Sequence, residues 1–287
     1  MVTYGKYFSR AQKAAVYGVA TASAIAIFYL PFLVKLYFPE PPYFIPLNQK
    51  ANIVFCVGIL VLCLVVGIAE DLDFNWRRRV ELRISSLIRD LIDLMRAGMP
   101  FPPALRECAK RDYGPLTKEL HRVVGKMLIG VDIEDSISDL AKRIRTPLME
   151  KVATLLIEVN RSGARAIDIL QSYLALHSTI EAYEAEKETQ LRPYTAVMYI
   201  TFVVYLLVAY ILVTQFLTPL TTGATELVKG IIDINFYKSI FFYCGVFEAI
   251  AAGLAIGKIT RGVSVTGLKH SAVMLFMLIA VYTLLMM

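Results

Sequence analysis

Residues 51–83 read ANIVFCVGILVLCLVVGIAEDLDFNWRRRVELR, and the change of character inside that stretch decides the fold. Up to Ala69 it is apolar and uncharged. From Glu70 onward acids and arginines crowd in, with the run Arg77, Arg78, Arg79. A hydrocarbon core about 30 Å thick needs roughly 20 apolar residues to be crossed as a helix. Segment 51–69 comes close, as do 14–34, 194–217, 239–257 and 270–287. Between the second and third of these lies 70–192, which holds about twenty charges of each sign. The pattern predicts an all-α, polytopic membrane protein with about five transmembrane helices and one charged helical bundle. The expected division is 1–69 with two spans, 70–192 as a cytoplasmic six-helix bundle, and 193–287 with three spans.

Composition narrows the function. A hydrophobic content of 57% and a mean hydropathy of +0.57 exclude an ordinary soluble globule. The net charge of +6 is less telling than its placement. Lys6, Arg10 and Lys13 precede the first expected span, Arg77–Arg79 follow the second, and Arg192 precedes the third. Lys258, Arg261 and Lys269 fill the loop between the last two. The positive-inside rule makes all four regions cytoplasmic and leaves the loops 35–50 and 218–238, and the C-terminus, outside. The positive excess therefore reads as topology and contact with the lipid bilayer, not as a nucleic-acid surface. The first apolar run is too long for a signal peptide and lacks a small-residue cleavage site, so it is expected to remain as a span. Cys56, Cys63, Cys108 and Cys244 form no CxxC pair, and the three histidines show no metal-ligand spacing. No metal and no other cofactor is expected.

The charged segment punctuates itself into helices. Ile84, Leu87, Ile88, Leu91, Leu94 and Met95 recur at the helical period, and Gly98 with Pro100 ends that run. A short helix follows with Ala104, Leu105 and Cys108. Pro115 suits the first turn of a third helix, which Gly130 closes as a left-handed cap. Asp132 is placed to cap a fourth, burying Ile133, Ile137, Leu140 and Ile144. Thr146–Pro147 opens a fifth, which stops at Ser162–Gly163. A sixth starts near Arg165 and runs through Glu181–Glu188 toward the span after Pro193. One apolar stripe per helix makes an antiparallel bundle large enough for its own core.

Three fragments carry a resemblance: Leu91–Leu105 (LIDLMRAGMPFPPAL), Gly130–Leu140 (GVDIEDSISDL) and Glu158–Leu170 (EVNRSGARAIDIL). In order and spacing the chain resembles the inner-membrane platform proteins of type II secretion and type IV pilus systems. That family includes the archaellum platform protein and the tight-adherence pilus pair. The family pattern is an amphipathic helix ending in a small-Gly turn, a Gly-polar-acid helix start, and a Ser-Gly turn. Here these fall on Ala97–Gly98, Gly130–Asp132 and Ser162–Gly163. The resemblance implies an assembly scaffold with no catalytic residues of its own. It also implies a hexameric secretion ATPase and pilin or archaellin subunits as partners. Many members carry two copies of the charged domain, and this sequence has one. It is therefore expected to pair with itself or with a paralogous platform subunit.

Several residues invite a functional reading, each beside a plainer one. Lys142, Arg143 and Arg145 lie away from any span and form the better ATPase-docking candidate; otherwise they complement a helix dipole. Arg77, Arg78 and Arg79 are a second such cluster, or the inside anchor of a span. Asp132, Glu134 and Asp135 favour their helix N-terminus and are secondary docking candidates. Glu248 is the one acid clearly within a span. It either contacts a pilin-like helix, hydrogen-bonds within the bundle, or relays protons. Beside it Ala249, Gly253 and Gly257 form a small-residue stripe for close helix approach, within the chain or between protomers. Gly257–Lys258–Ile259–Thr260 misses the phosphate-loop spacing, and Gly262–Thr266 misses the nucleophile elbow. The competing function is a membrane transporter or channel with a cytoplasmic regulatory domain. It would require several polar groups lining a path, and Glu248 alone is a poor start.

Overall fold

The computed structural model describes residues 10–35, 46–219 and 233–285. Lys6, most of the two expected outside loops and the last two residues lie outside the described residues. Every described regular element is helical. In chain order they are α1 (Arg10–Leu33), α2 (Gln49–Glu81), α3 (Ile84–Arg96), α4 (Phe101–Cys108), α5 (Pro115–Leu128), α6 (Ile133–Ile144) and α7 (Pro147–Ser162). Then follow α8 (Ala166–Ile211), α9 (Ile234–Arg261) and α10 (Leu268–Leu285). Short 3₁₀ turns at Gly163–Arg165 and Ser264–Gly267 lead into α8 and α10, and a π-helical segment, Leu212–Leu217, ends α8. The chain separates into two compact units, one made of Leu72–Lys187 and the other of residues on both sides of it. Among the described residues, five helices are long and apolar enough to cross a membrane.

The charged unit owes its shape to one stripe per helix. Ile84, Leu87, Ile88 and Leu91 of α3 are fully buried, and Leu105, Leu116, Leu120, Ile137, Ile144, Met149, Val152 and Leu156 join them. Trp76 and Val80 belong to the same core, so the end of α2 is a further packing helix that the periodicity did not claim. Burying each large aliphatic side chain contributes roughly 1.5–3 kcal/mol. The turns follow from backbone chemistry. At the end of α3, Gly98 N–H donates to Met95 O and Met99 N–H to Leu94 O. At the end of α5, Gly130 N–H donates to Met127 O and Val131 N–H to Lys126 O. This paired pattern satisfies orphan carbonyls and needs a left-handed residue, here Gly98 (φ 89°) and Gly130 (φ 88°).

In the second unit α9 and α10 pack against the apolar ends of α2 and α8 around Phe202, Leu206, Phe242, Val246, Leu275 and Leu278. Two helices run across the expected boundaries between the charged segment and its flanking spans. α2 continues from Gln49 past Glu70 to Glu81, and α8 continues from Ala166 past Pro193 to Ile211. Proline inside a helix removes one hydrogen bond and usually kinks or ends it. Here α8 persists as a single helix of 46 residues.

Candidate functional site

The basic and acidic candidates of the charged unit gather around α6. Asp132 caps its N-terminus by accepting from Glu134 N–H at 3.1 Å, and Glu134 and Asp135 fill the first turn. Lys142 and Arg143 fill the last turn, so the charge follows the helix dipole. The helix closes on Arg145 in the left-handed region (φ 57°), unusual for a residue with a side chain. Arg77 of α2 supports that turn: its Nη1 donates to Arg145 O at 2.8 Å, while its Nε lies 3.0 Å from the buried carboxylate of Asp73. The two basic clusters that are separate in sequence thus meet at one helix end.

Most of these charges have work inside the unit. Arg143 Nε donates to Glu119 at 2.9 Å, and Glu119 also takes Arg122. Arg161 grips Glu134 with two nitrogens and holds its carboxyl below the ordinary range. Lys126 lies 2.8 Å from Asp139 and, by that hydrogen bond, does the same there. Arg79 is exposed and donates to Asn75 O of its own helix. Arg78 is half-buried. Lys142 and Asp135 are exposed and form no ion pair among the described residues. They are seven residues apart, two turns along one face of α6. Gly163, the third turn glycine, has φ 53° and carries the chain from α7 into α8.

A polar cluster at the edge of the core escaped the sequence. Tyr113 donates to Asp90, which also pairs with Arg111 at 2.6 Å. Burial pushes the Tyr113 hydroxyl up, and the buried Cys108 thiol up to about 11. Cys108 is thus an inert packing residue.

In the membrane unit the small-residue stripe is filled by the chain itself. A Cβ on Gly253 would collide with the backbone and hydroxyl of Ser271, and one on Gly257 with Gly267. Ala249 is fully buried in the same unit. The stripe is therefore a seam between α9, the Ser264–Gly267 turn and α10. Gly67 extends this packing to α2, since a Cβ there would sit 2.6 Å from Lys269 N. The stretch Gly257–Thr260 is helix interior, so its backbone N–H groups are not presented as a phosphate-binding loop. Glu248 is half-buried and makes no hydrogen bond or ion pair among the described residues.

Polar groups at the ends of this unit pair across helices. Asp71 of α2 pairs with Arg261 of α9 and, at 2.6 Å, with Lys269 of α10. Glu70 accepts from Lys13 and Tyr17 of α1. Asn52 donates to Ser239 Oγ at 2.9 Å and accepts from Tyr243 at 2.9 Å, and Ser239 in turn donates to Pro46 O. Lys13, Arg261 and Lys269 read in the sequence as inside-facing charges, and no periodicity connects them to their acidic partners.

Architecture and charge together describe a multi-pass helical membrane protein with one charged bundle. Residues 87–214 match the family of the type II secretion system protein F, from the first turn of α3 into the π-helical segment after α8. A stretch of 223 residues is 29% identical to an uncharacterized protein of Methanocaldococcus jannaschii, covering 76% of this chain. The chain spans 36% of that relative's length. No solved structure matches.

Proposed function

We propose that this protein is the membrane platform of a type II secretion, type IV pilus-like or archaellum-like machine. In this reading 70–192 faces the cytoplasm with the N-terminus, and the C-terminus lies outside the cytoplasmic membrane. The charged unit engages a hexameric secretion ATPase. The membrane unit presents pilin or archaellin helices to the growing filament. A second copy or a paralogous platform subunit completes the assembly. The family consists of non-enzymatic platform proteins, which fits a chain that takes its work from a separate motor.

One observation carries the proposal. A single family match runs from the charged bundle into an apolar segment, and α8 spans the same interval as one helix from Ala166 to Ile211. A continuous helix, even one lacking the hydrogen bond removed at Pro193, transmits displacement better than a loop. The motor-facing candidates are Lys142 and Asp135, exposed on α6, with Arg145 and Arg77 meeting at its C-terminal end and Arg78 and Arg79 as further candidates on α2. Arg143, Asp132 and Glu134 shape the face from within. Glu248 is the pilin-facing candidate, because Gly253 and Gly257 are already covered by α10 and the Ser264–Gly267 turn, and Ala249 is fully buried.

The test is to insert a flexible Gly/Ser segment after Leu191 in the native organism. Membrane insertion and ATPase binding should persist while filament assembly is lost. Normal filaments from that variant would contradict mechanical coupling.

A further inference from the structure

Three carboxylates line one small pocket of the charged unit. Glu81 comes from the end of α2, and Glu181 and Glu184 from α8. The pocket encloses about 130 Å³, with Leu82, Leu148 and Ala185 as apolar wall and Arg78 as the one basic liner. That is room for several waters or one side-chain head group. At the back stands His177, only 6% exposed, its ring stacked on Tyr173 at 5.4 Å. His177 Nε2 makes no hydrogen bond; it lies 3.4 Å from Glu181 Oε1, which accepts from Ser85 Oγ at 3.0 Å. Burial, reinforced by Glu184, pushes the Glu81 carboxyl above the ordinary range despite a hydrogen bond from Thr146. Three acids against the single Arg78 make the lining acidic, and the buried His177 Nε2 makes no hydrogen bond, its nearest acid being Glu181.

We propose that this pocket receives the basic head of an arginine or lysine side chain presented by a partner protein. Negative charge excludes an anionic ligand. The described acids and histidine do not converge into a group able to hold a metal ion. A long basic side chain matches both halves of the lining. Its aliphatic stem lies along Leu82, Leu148 and Ala185, and its N–H groups reach the three carboxylates beside His177. The inference stands on this lining alone and does not depend on the platform reading.

The experiment uses the full chain in lipid nanodiscs with ¹⁵N-labelled histidine rings. N-acetyl-arginine amide is titrated, with N-acetyl-methionine amide as control and spermidine as a free polycation. Saturation at a Kd on the order of 1 mM is expected at His177, with His121 and His270 unmoved. Glu184 is exposed, so Glu184→Gln leaves the fold intact (checked by thermal melting) and weakens binding about tenfold. No saturable shift at His177, an equal response to the methionine probe, or an unchanged Kd in Glu184→Gln would overturn the proposal. Tighter saturation by spermidine than by the arginine probe would also overturn it, by making the occupant a free polyamine.

Discussion

The two units use the same residue, glycine, for opposite reasons. In the charged unit Gly98, Gly130 and Gly163 have positive φ, and a Cβ on any of them would meet nothing within 4 Å. There glycine supplies backbone freedom at a helix end. In the membrane unit Gly253, Gly257 and Gly267 sit where a Cβ would strike a neighbouring backbone. There it supplies absence of bulk. The difference follows from solvent. In water, burial of stripes such as Ile84, Leu87 and Leu91 drives helices together, and turns need only allow it. Between helices in lipid, apolar side chains gain little by leaving apolar surroundings, so close backbone approach and pairs such as Asn52–Ser239 hold the bundle.

The strongest way to break this contrast is Gly253→Leu, which forces α10 off α9. The expected result is loss of the folded membrane unit, seen as aggregation or an absent melting transition in detergent, with Gly253→Ala less severe. Next, Leu91→Ala in the charged core should cost about 2–5 kcal/mol, read as lost hydrogen-exchange protection in α3 to α7. Gly130→Ala should cost on the order of 1 kcal/mol through strain at positive φ, and Gly130→Asn should recover part of it. Equal damage from Gly130→Ala and Gly253→Ala would erase the distinction. Asp132→Ala should cost about 1 kcal/mol by removing the cap of α6.

The smallest effect is on pH. The carboxyls of Glu134 and Asp139 are held low by Arg161 and Lys126. Their contribution is present above the ordinary carboxylate pKa and is lost as pH falls through the depressed value. Exchange protection of α6 should therefore drop on acidification, and less so in Lys126→Met, where the Asp139 share is already gone.

How much of this was legible follows from which interactions are local. Helix periods, the capping aspartate at 132 and the turn glycines act within a few residues, so the sequence carries them. The continuity of α8 through Pro193 was not legible, because proline argues for a break and the surrounding structure overrides it. Arg145 in the left-handed region was hidden as well, since its support arrives from Arg77, 68 residues away. The small-residue stripe was visible, but its occupant was not: Ser271 and Gly267 become its partners only when α10 folds back on α9. Glu81, His177 and Glu181 never looked like one site, because α2 and α8 are far apart in sequence.

In the proposed platform the charged unit docks the motor through the exposed face of α6, and the membrane unit folds independently of that contact. Gentle-detergent co-purification from the native membrane tests it most directly, comparing the natural chain with the double variant Asp135→Lys, Lys142→Glu. The account predicts that a secretion-type ATPase accompanies the natural chain and is lost from the variant, with melting of the membrane unit unchanged. Retention of the ATPase by the variant would contradict the assigned docking face. A folded, abundant natural chain bringing down neither ATPase nor pilin would contradict the platform itself.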